Sequence, residues 1–169
     1  MTTMRVLAAH ATFVLLLLLA GCGFHLRGTA LLPFDSIHVA GAENSSFVAE
    51  LKRALEGSSN ARIVNDPTEA QAVLHIASEA RDKRILSLSG GGKVREFQLY
   101  YHVAFHLDDG KGHDYIPGGE ISIKRDFSYD DAQILAKESE EALLYRDMQA
   151  DAVQQMLHRI AAARLSHEN

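Results

Sequence analysis

Apolar and polar residues alternate with three different periods along this chain, and each period predicts an element. Ala11–Ala20 reads ATFVLLLLLA, an apolar run in which only Thr12 is polar. Ser36-Ile37-His38-Val39-Ala40 alternates and stops at Gly41, the pattern of a short strand. Asn44, Ser45 and Ser46 are helix-capping types, and Phe47, Leu51, Ala54 and Leu55 then recur at helical spacing until Gly57, Ser58 and Ser59. Arg62-Ile63-Val64 reads as a second short strand, closed by Asn65-Asp66-Pro67. Strand, helix, strand in so few residues predicts a right-handed crossover between parallel neighbours.

The middle of the chain is longer-ranged. Ala72–Ser89 runs with few breakers, Gly90-Gly91-Gly92 makes a turn, and Lys93–Leu107 returns. On the return, Phe97, Leu99, Tyr101, Val103, Phe105 and Leu107 share one face, and Gln98, Tyr100, His102, Ala104 and His106 share the other. Such strict alternation predicts a sheet with one buried face. A turn at Asp108–Gly112 follows, and a further strand is expected after Gly119, with Ile121, Ile123, Phe127 and Tyr129 on one side. From Asp130 to Leu165 the period becomes helical, with a stripe of Tyr145, Met148, Ala152, Met156 and Ile160 widened by Val153, Leu157 and Ala161. The fold class that follows is α+β: a two-layer sandwich with two helices packed on one face of a mixed four- to five-stranded sheet.

The first apolar run is an address rather than part of that fold. A spanning helix needs ~20 apolar residues, so a run half that long behind Arg5 reads as the core of a secretory signal. Leu19-Ala20-Gly21-Cys22 resembles the bacterial lipobox, in which the Cys thiol is lipidated and the chain is cut before it. Cys22 is the only Cys, which excludes an intramolecular disulfide framework and Cys-rich zinc sites. The expected organisation is a cleaved signal (1–21), a lipidated connecting segment (22–34), one α+β domain (35–165) and a C-terminal tail (166–169). Stable anchoring takes more than one acyl chain, and the resemblance to bacterial lipoproteins implies three. Gly23 stands where Asp would favour the inner membrane in the sorting rule of enteric bacteria, so the outer membrane is expected.

Charge and chemistry narrow the function. The net charge is −5, from 17 Lys+Arg and 22 Asp+Glu, which argues against general nucleic-acid binding. Among nine His residues, His102 and His106 lie four apart, but on a strand that is ~13 Å, too far to chelate one ion. A polar outer face accounts for them, and no metal site is expected. Gly90-Gly91-Gly92-Lys93 lacks the spacing and the Ser or Thr of a phosphate loop and joins two strands. No Gly-x-Ser-x-Gly elbow is present, and solvated helix faces explain Glu138, Glu140, Glu141, Asp147 and Asp151. Without a catalytic set, no enzyme and no cofactor are predicted. Basic residues do cluster: Arg81, Lys83 and Arg84 on one hairpin arm, Lys93 and Arg95 on the other, and Lys124 and Arg125 beyond. Two readings stay open, a charged surface that discourages edge pairing and an anion-binding strip.

Three segments in order carry a family resemblance. The lipobox followed by Cys22-Gly23-Phe24-His25-Leu26-Arg27-Gly28, the return-arm segment Glu96-Phe97-Gln98-Leu99, and Leu135-Ala136-Lys137 opening the last helix are similar to the lipopolysaccharide-assembly lipoprotein family, LptE. The order of strands and helices agrees along essentially all of 22–165. The resemblance implies an outer-membrane lipoprotein that plugs a large β-barrel partner, LptD, and takes part in placing lipopolysaccharide in the outer leaflet. It also implies binding of lipopolysaccharide by basic residues near the hairpin tip and at the start of the last helix. Lys137 matches the second position. Some relatives carry a basic residue in the turn itself, where this chain has Gly90–Gly92, and Lys93 and Arg95 are the nearest substitutes. Tyr100 and His102 are candidate contacts with the barrel. The alternatives are a structural lipoprotein that assists barrel folding without binding glycolipid, and an exported lipoprotein enzyme, disfavoured by the missing catalytic set.

Overall fold

The computed structural model describes residues 31–164; the apolar leader, Cys22 with most of the segment after it, and the tail at 166–169 lie outside the described residues. In chain order the elements are β1 (Ser36–Ala40), α1 (Ser46–Ser58), β2 (Arg62–Ile63), β3 (Ala72–Leu88), β4 (Val94–Asp108), β5 (Asp114–Ser128) and α2 (Ile134–Ala162). Single 3-10 turns at Pro67–Glu69 and Asp131–Gln133 precede β3 and α2. The five strands form one sheet in the order β2-β1-β3-β4-β5. β1 runs parallel to β2 and β3, and the β3–β4 and β4–β5 pairs are antiparallel.

Local chemistry sets the helix ends. Ser45 Oγ accepts the Val48 N–H at 3.1 Å, so α1 starts at a side-chain cap. At its other end the Ser59 N–H and Oγ–H both donate to the Leu55 carbonyl, at 3.1 and 2.7 Å. Phe47, Leu51 and Leu55 on the inner face of α1 are fully buried, each contributing ~1.5–3 kcal/mol of hydrophobic stabilisation.

Alternation along β4 decides which sheet face is covered. Leu99, Tyr101, Val103 and Leu107 are fully buried beneath the helices, and Phe105 nearly so. The intervening side chains point to the uncovered face. The 29-residue α2 is about 44 Å long at 1.5 Å per residue, yet its buried residues, from Met148 to Ile160, all lie in its second half. Its first half leaves Leu135 80% and Leu143 52% exposed. The core therefore occupies one end of the sandwich, and the other end stays open.

Two boundaries differ from the sequence reading. β5 begins at Asp114, not after Gly119, because the breakers Pro117, Gly118 and Gly119 are absorbed within the strand. β5 is an edge strand, where a proline without an N–H is tolerated. Two register shifts opposite Phe105–Asp108 accommodate extra residues of β5 as bulges. Gly119 is also required sterically, since a Cβ there would lie 2.6 Å from Phe105 Cζ. The second difference concerns the connecting segment, whose end joins the core: Leu32 and Phe34 are buried. The Leu32 N–H donates to Asn60 Oδ1 at 2.6 Å, and Phe34 meets the Tyr115 ring edge-on at 5.5 Å.

Candidate functional site

The β3–β4 hairpin is longer than the core that it flanks, so its far half carries side chains beyond the packed region. The turn closes through Ser89 N–H to the Lys93 carbonyl at 2.7 Å and Gly92 N–H to the Ser89 carbonyl at 2.9 Å. Gly92 sits at φ +78°, a left-handed conformation that favours glycine. The glycine run is thus a strand-to-strand turn, not a phosphate cradle.

Cations line both faces of this far half, mostly paired. On the helix side, the Arg81 guanidinium lies over the Tyr101 and Tyr145 rings at 5.5 and 5.6 Å and donates to Gln149 Oε1 at 3.0 Å. Lys83 Nζ reaches Glu141 Oε2 at 2.8 Å and lies over Phe97. Arg81, Lys83 and Glu141, with Glu138, Tyr145 and Arg146, line a groove of about 590 Å³ between β3 and α2. Tyr145 donates its hydroxyl to the Asp82 carbonyl at 2.8 Å. Burial first, then the Glu141 and Asp82 carboxylates, raise the Tyr145 pKa and keep that proton in place. On the uncovered face Arg84 covers the Tyr100 ring at 4.8 Å, Tyr100 stacks with His102, and His102 Nδ1 meets Glu120 at 2.9 Å.

The residues singled out from sequence gather at the tip end in two environments. Lys93 and Arg95 line one cleft of about 410 Å³ with Ser89, Tyr129, Asp130 and Asp131. Lys93 Nζ is 3.6 Å from Asp131, with its side chain 76% exposed. Arg95 makes no ion pair among the described residues, and its carbonyl accepts the Tyr129 N–H at 2.8 Å. Lys137 is tucked inward. Its side chain is 16% exposed, its Nζ donates to Ser128 Oγ at 3.1 Å and Glu140 Oε2 at 2.9 Å, and it lies over the Phe127 ring. The approach to α2 is already furnished with an internal anion, because Asp130 Oδ1 accepts the Ala132 N–H at 3.0 Å. Arg81 and Tyr145 were visible in the sequence as a basic arm and a helical stripe. Their meeting, and the part of Arg146, depend on the sheet register and carry no sequence pattern.

Beside this charge lies exposed apolar surface: Ile85, Leu86 and Leu88 on the hairpin arm, Ile134 and Leu135 at the start of α2. Among the described residues no helix is long and apolar enough to cross a membrane. The profile of the LptE family, described as lipopolysaccharide-assembly, matches residues 34–160. This chain belongs to the LptE family. The LPS-assembly lipoprotein LptE of Yersinia enterocolitica is 32% identical over 148 residues, covering 85% of this chain and 70% of that protein. The LptE of Pectobacterium atrosepticum is 27% identical over 173 residues, covering 94% and 90%. The fold agrees with solved structures: lipoprotein B from Nitrosomonas europaea superposes with a TM-score of 0.73 at 40% identity, covering 83% of this chain and 91% of that one. The rare lipoprotein B from Shewanella oneidensis gives 0.67 at 26% identity, covering 76% and 95%. LptE membership implies a role in lipopolysaccharide assembly and involvement with the lipopolysaccharide transport machinery.

Proposed function

We propose that this LptE-family chain is anchored in the outer membrane through lipidated Cys22, seats as a plug in an LptD-like β-barrel, and binds lipopolysaccharide at the open end of its sandwich. The observation that carries the reading is that cations and exposed aliphatic groups occur together at this end of the hairpin. Lys93 and Arg95 share a cleft, and Leu86 and Leu88 are 46% and 55% exposed on the same hairpin. Lipid A presents phosphates beside acyl chains, and a receptor for it needs both surfaces. A phosphate would compete with Asp131 for Lys93 and with Glu140 for Lys137. Lys93, with its side chain 76% exposed and its carboxylate 3.6 Å away, is the more readily exchanged of the two, because an exposed ion pair holds its partners by only ~0–1 kcal/mol.

A second reading has its own observation. Lys83, Lys93, Arg125 and Lys137 already hold carboxylate partners, as expected of a body that only supports a barrel and takes no glycolipid. In-cell photo-crosslinking separates the two. Probes at Leu86 and Leu135 should trap both lipopolysaccharide and a barrel protein, and a probe at Tyr100 should trap the barrel. Barrel adducts without glycolipid would select the supporting role, and no barrel adduct at any position would end the plug reading. The anchor has its own check: Cys22→Ala should leave an uncleaved or mislocalised precursor, whereas an unmodified Cys22 in the mature protein would contradict lipidation.

A further inference from the structure

On the uncovered face of the sheet, at the end remote from the hairpin tip, three side chains lie together. His75 and His106 are direct cross-strand partners in the β3–β4 register, and Asp108 follows His106 by two residues on β4. Opposed residues on neighbouring strands, and residues two apart on one strand, share a face, so the ladder itself assembles the group. His75 Nε2 lies 3.2 Å and His106 Nε2 3.7 Å from the same atom, Asp108 Oδ2. One donor atom from each residue falls within 4.8 Å of the others. The second Asp108 oxygen is held elsewhere: Oδ1 accepts the Gly110 N–H at 2.7 Å, in a turn where Gly110 takes φ +68°.

We propose that His75, His106 and Asp108 bind one divalent transition-metal ion of the zinc class, with water completing the shell. Zinc holds imidazole nitrogen at about 2.0–2.1 Å and carboxylate oxygen at about 2.0–2.2 Å, so a tetrahedral site places its ligand atoms roughly 3.3 Å apart. The observed 3.2 and 3.7 Å bracket that edge. Two imidazoles with one carboxylate suit zinc, copper or nickel better than magnesium or calcium. The Gly110 N–H leaves Asp108 a single free oxygen, which acts as a monodentate ligand oriented by a backbone donor. The rings now stack 4.3 Å apart and 9° from parallel, and both Nε2 atoms turn toward one centre only when the rings fan apart. With side chains 39% and 41% exposed, both rings have room for that rotation, which gives up their stacking. An ion there would join β3 to β4 where β3 also pairs with β1. His102–Glu120 and His113–Asp109 on the same molecule are two-residue pairs, and serve as internal controls.

The untagged, full-length protein in detergent is titrated with Zn²⁺ against a chromophoric chelator. The expected result is one Zn²⁺ per chain and a rise in Tm, since an ion bound only by the folded state stabilises it by mass action. His75→Asn or His106→Asn should weaken binding at least about tenfold, since losing even an outer-shell partner of a ligand costs about that much, while His102→Asn and His113→Asn leave it unchanged. Equal affinity in the H75N/H106N double variant, or no zinc bound by the wild type, would overturn the proposal. Wild-type protein gives a check free of any folding defect: on zinc addition the imidazole NMR signals of His75 and His106 should shift, and shifts confined to other histidines place the ion elsewhere.

Discussion

At the end of the sheet where β1 joins β3, the inward side chains of β4 are shut beneath α1 and the second half of α2. At the other end, from Arg81 to Arg95, the same two strands carry charged and aliphatic groups into solvent, facing the uncovered first half of α2. The β3–β4 pairing runs through both ends, from Val73–Asp108 to Leu88–Val94, with register shifts after Ile76 and between Ile85 and Leu88, so pairing alone does not explain the difference. Side-chain burial does. The closed end gains its stability from apolar area removed from water, which is large and does not exchange partners. The open end is held by pairs such as Lys93–Asp131 and Lys83–Glu141, worth ~0–1 kcal/mol each and replaceable by another anion. One end is packed, and the other leaves its cations in exposed, exchangeable pairs.

The comparison breaks most readily at the closed end. Phe47→Ala should lower unfolding stability by about 3–5 kcal/mol, because Phe47 is fully buried and packs near Tyr101. Leu135→Ala at the open end should change it by less than about 0.5 kcal/mol, since that side chain is 80% exposed. Urea denaturation of both variants measures the contrast, and similar losses would show that the open end is also part of the core. A smaller effect sharpens the boundary within the sheet. Gly119→Ala should cost about 1–3 kcal/mol by overpacking, as its Cβ would meet the Phe105 ring. In a Phe105→Leu background the same change should cost less, and a strictly additive double-mutant cycle would mean that the ring is not what excludes a side chain there.

Much of this architecture was legible in the chain, for reasons that individual residues make clear. β4 was legible because strict alternation from Phe97 to Leu107 survives only where one face is buried. α1 was legible from Ser45 and its following apolar spacing. The start of β5 was not, because Pro117-Gly118-Gly119 reads as a loop until an edge position, two bulges and the Phe105 ring give each breaker a use. At the candidate site, the sequence named Lys93, Arg95 and Lys137, and the fold brings all three to one end. It does not show Lys137 turned onto Ser128 and Phe127, because that contact depends on how α2 crosses the end of β5. The His75–His106–Asp108 group was hidden for a similar reason. Along one strand His106 has His102 for a neighbour, and only the cross-strand register supplies His75.

The measurement that bears most directly on this division of labour is lipopolysaccharide binding by the purified protein carrying Lys93→Asp, Arg95→Asp and Lys137→Asp together. Loss of even one charge-assisted contact of about 1.5–3 kcal/mol corresponds to roughly a tenfold or greater drop in affinity. The account predicts at least that drop, with an unchanged circular-dichroism spectrum and an intact barrel complex. Wild-type affinity in the triple variant at moderate salt would contradict it and place glycolipid binding on another part of the domain.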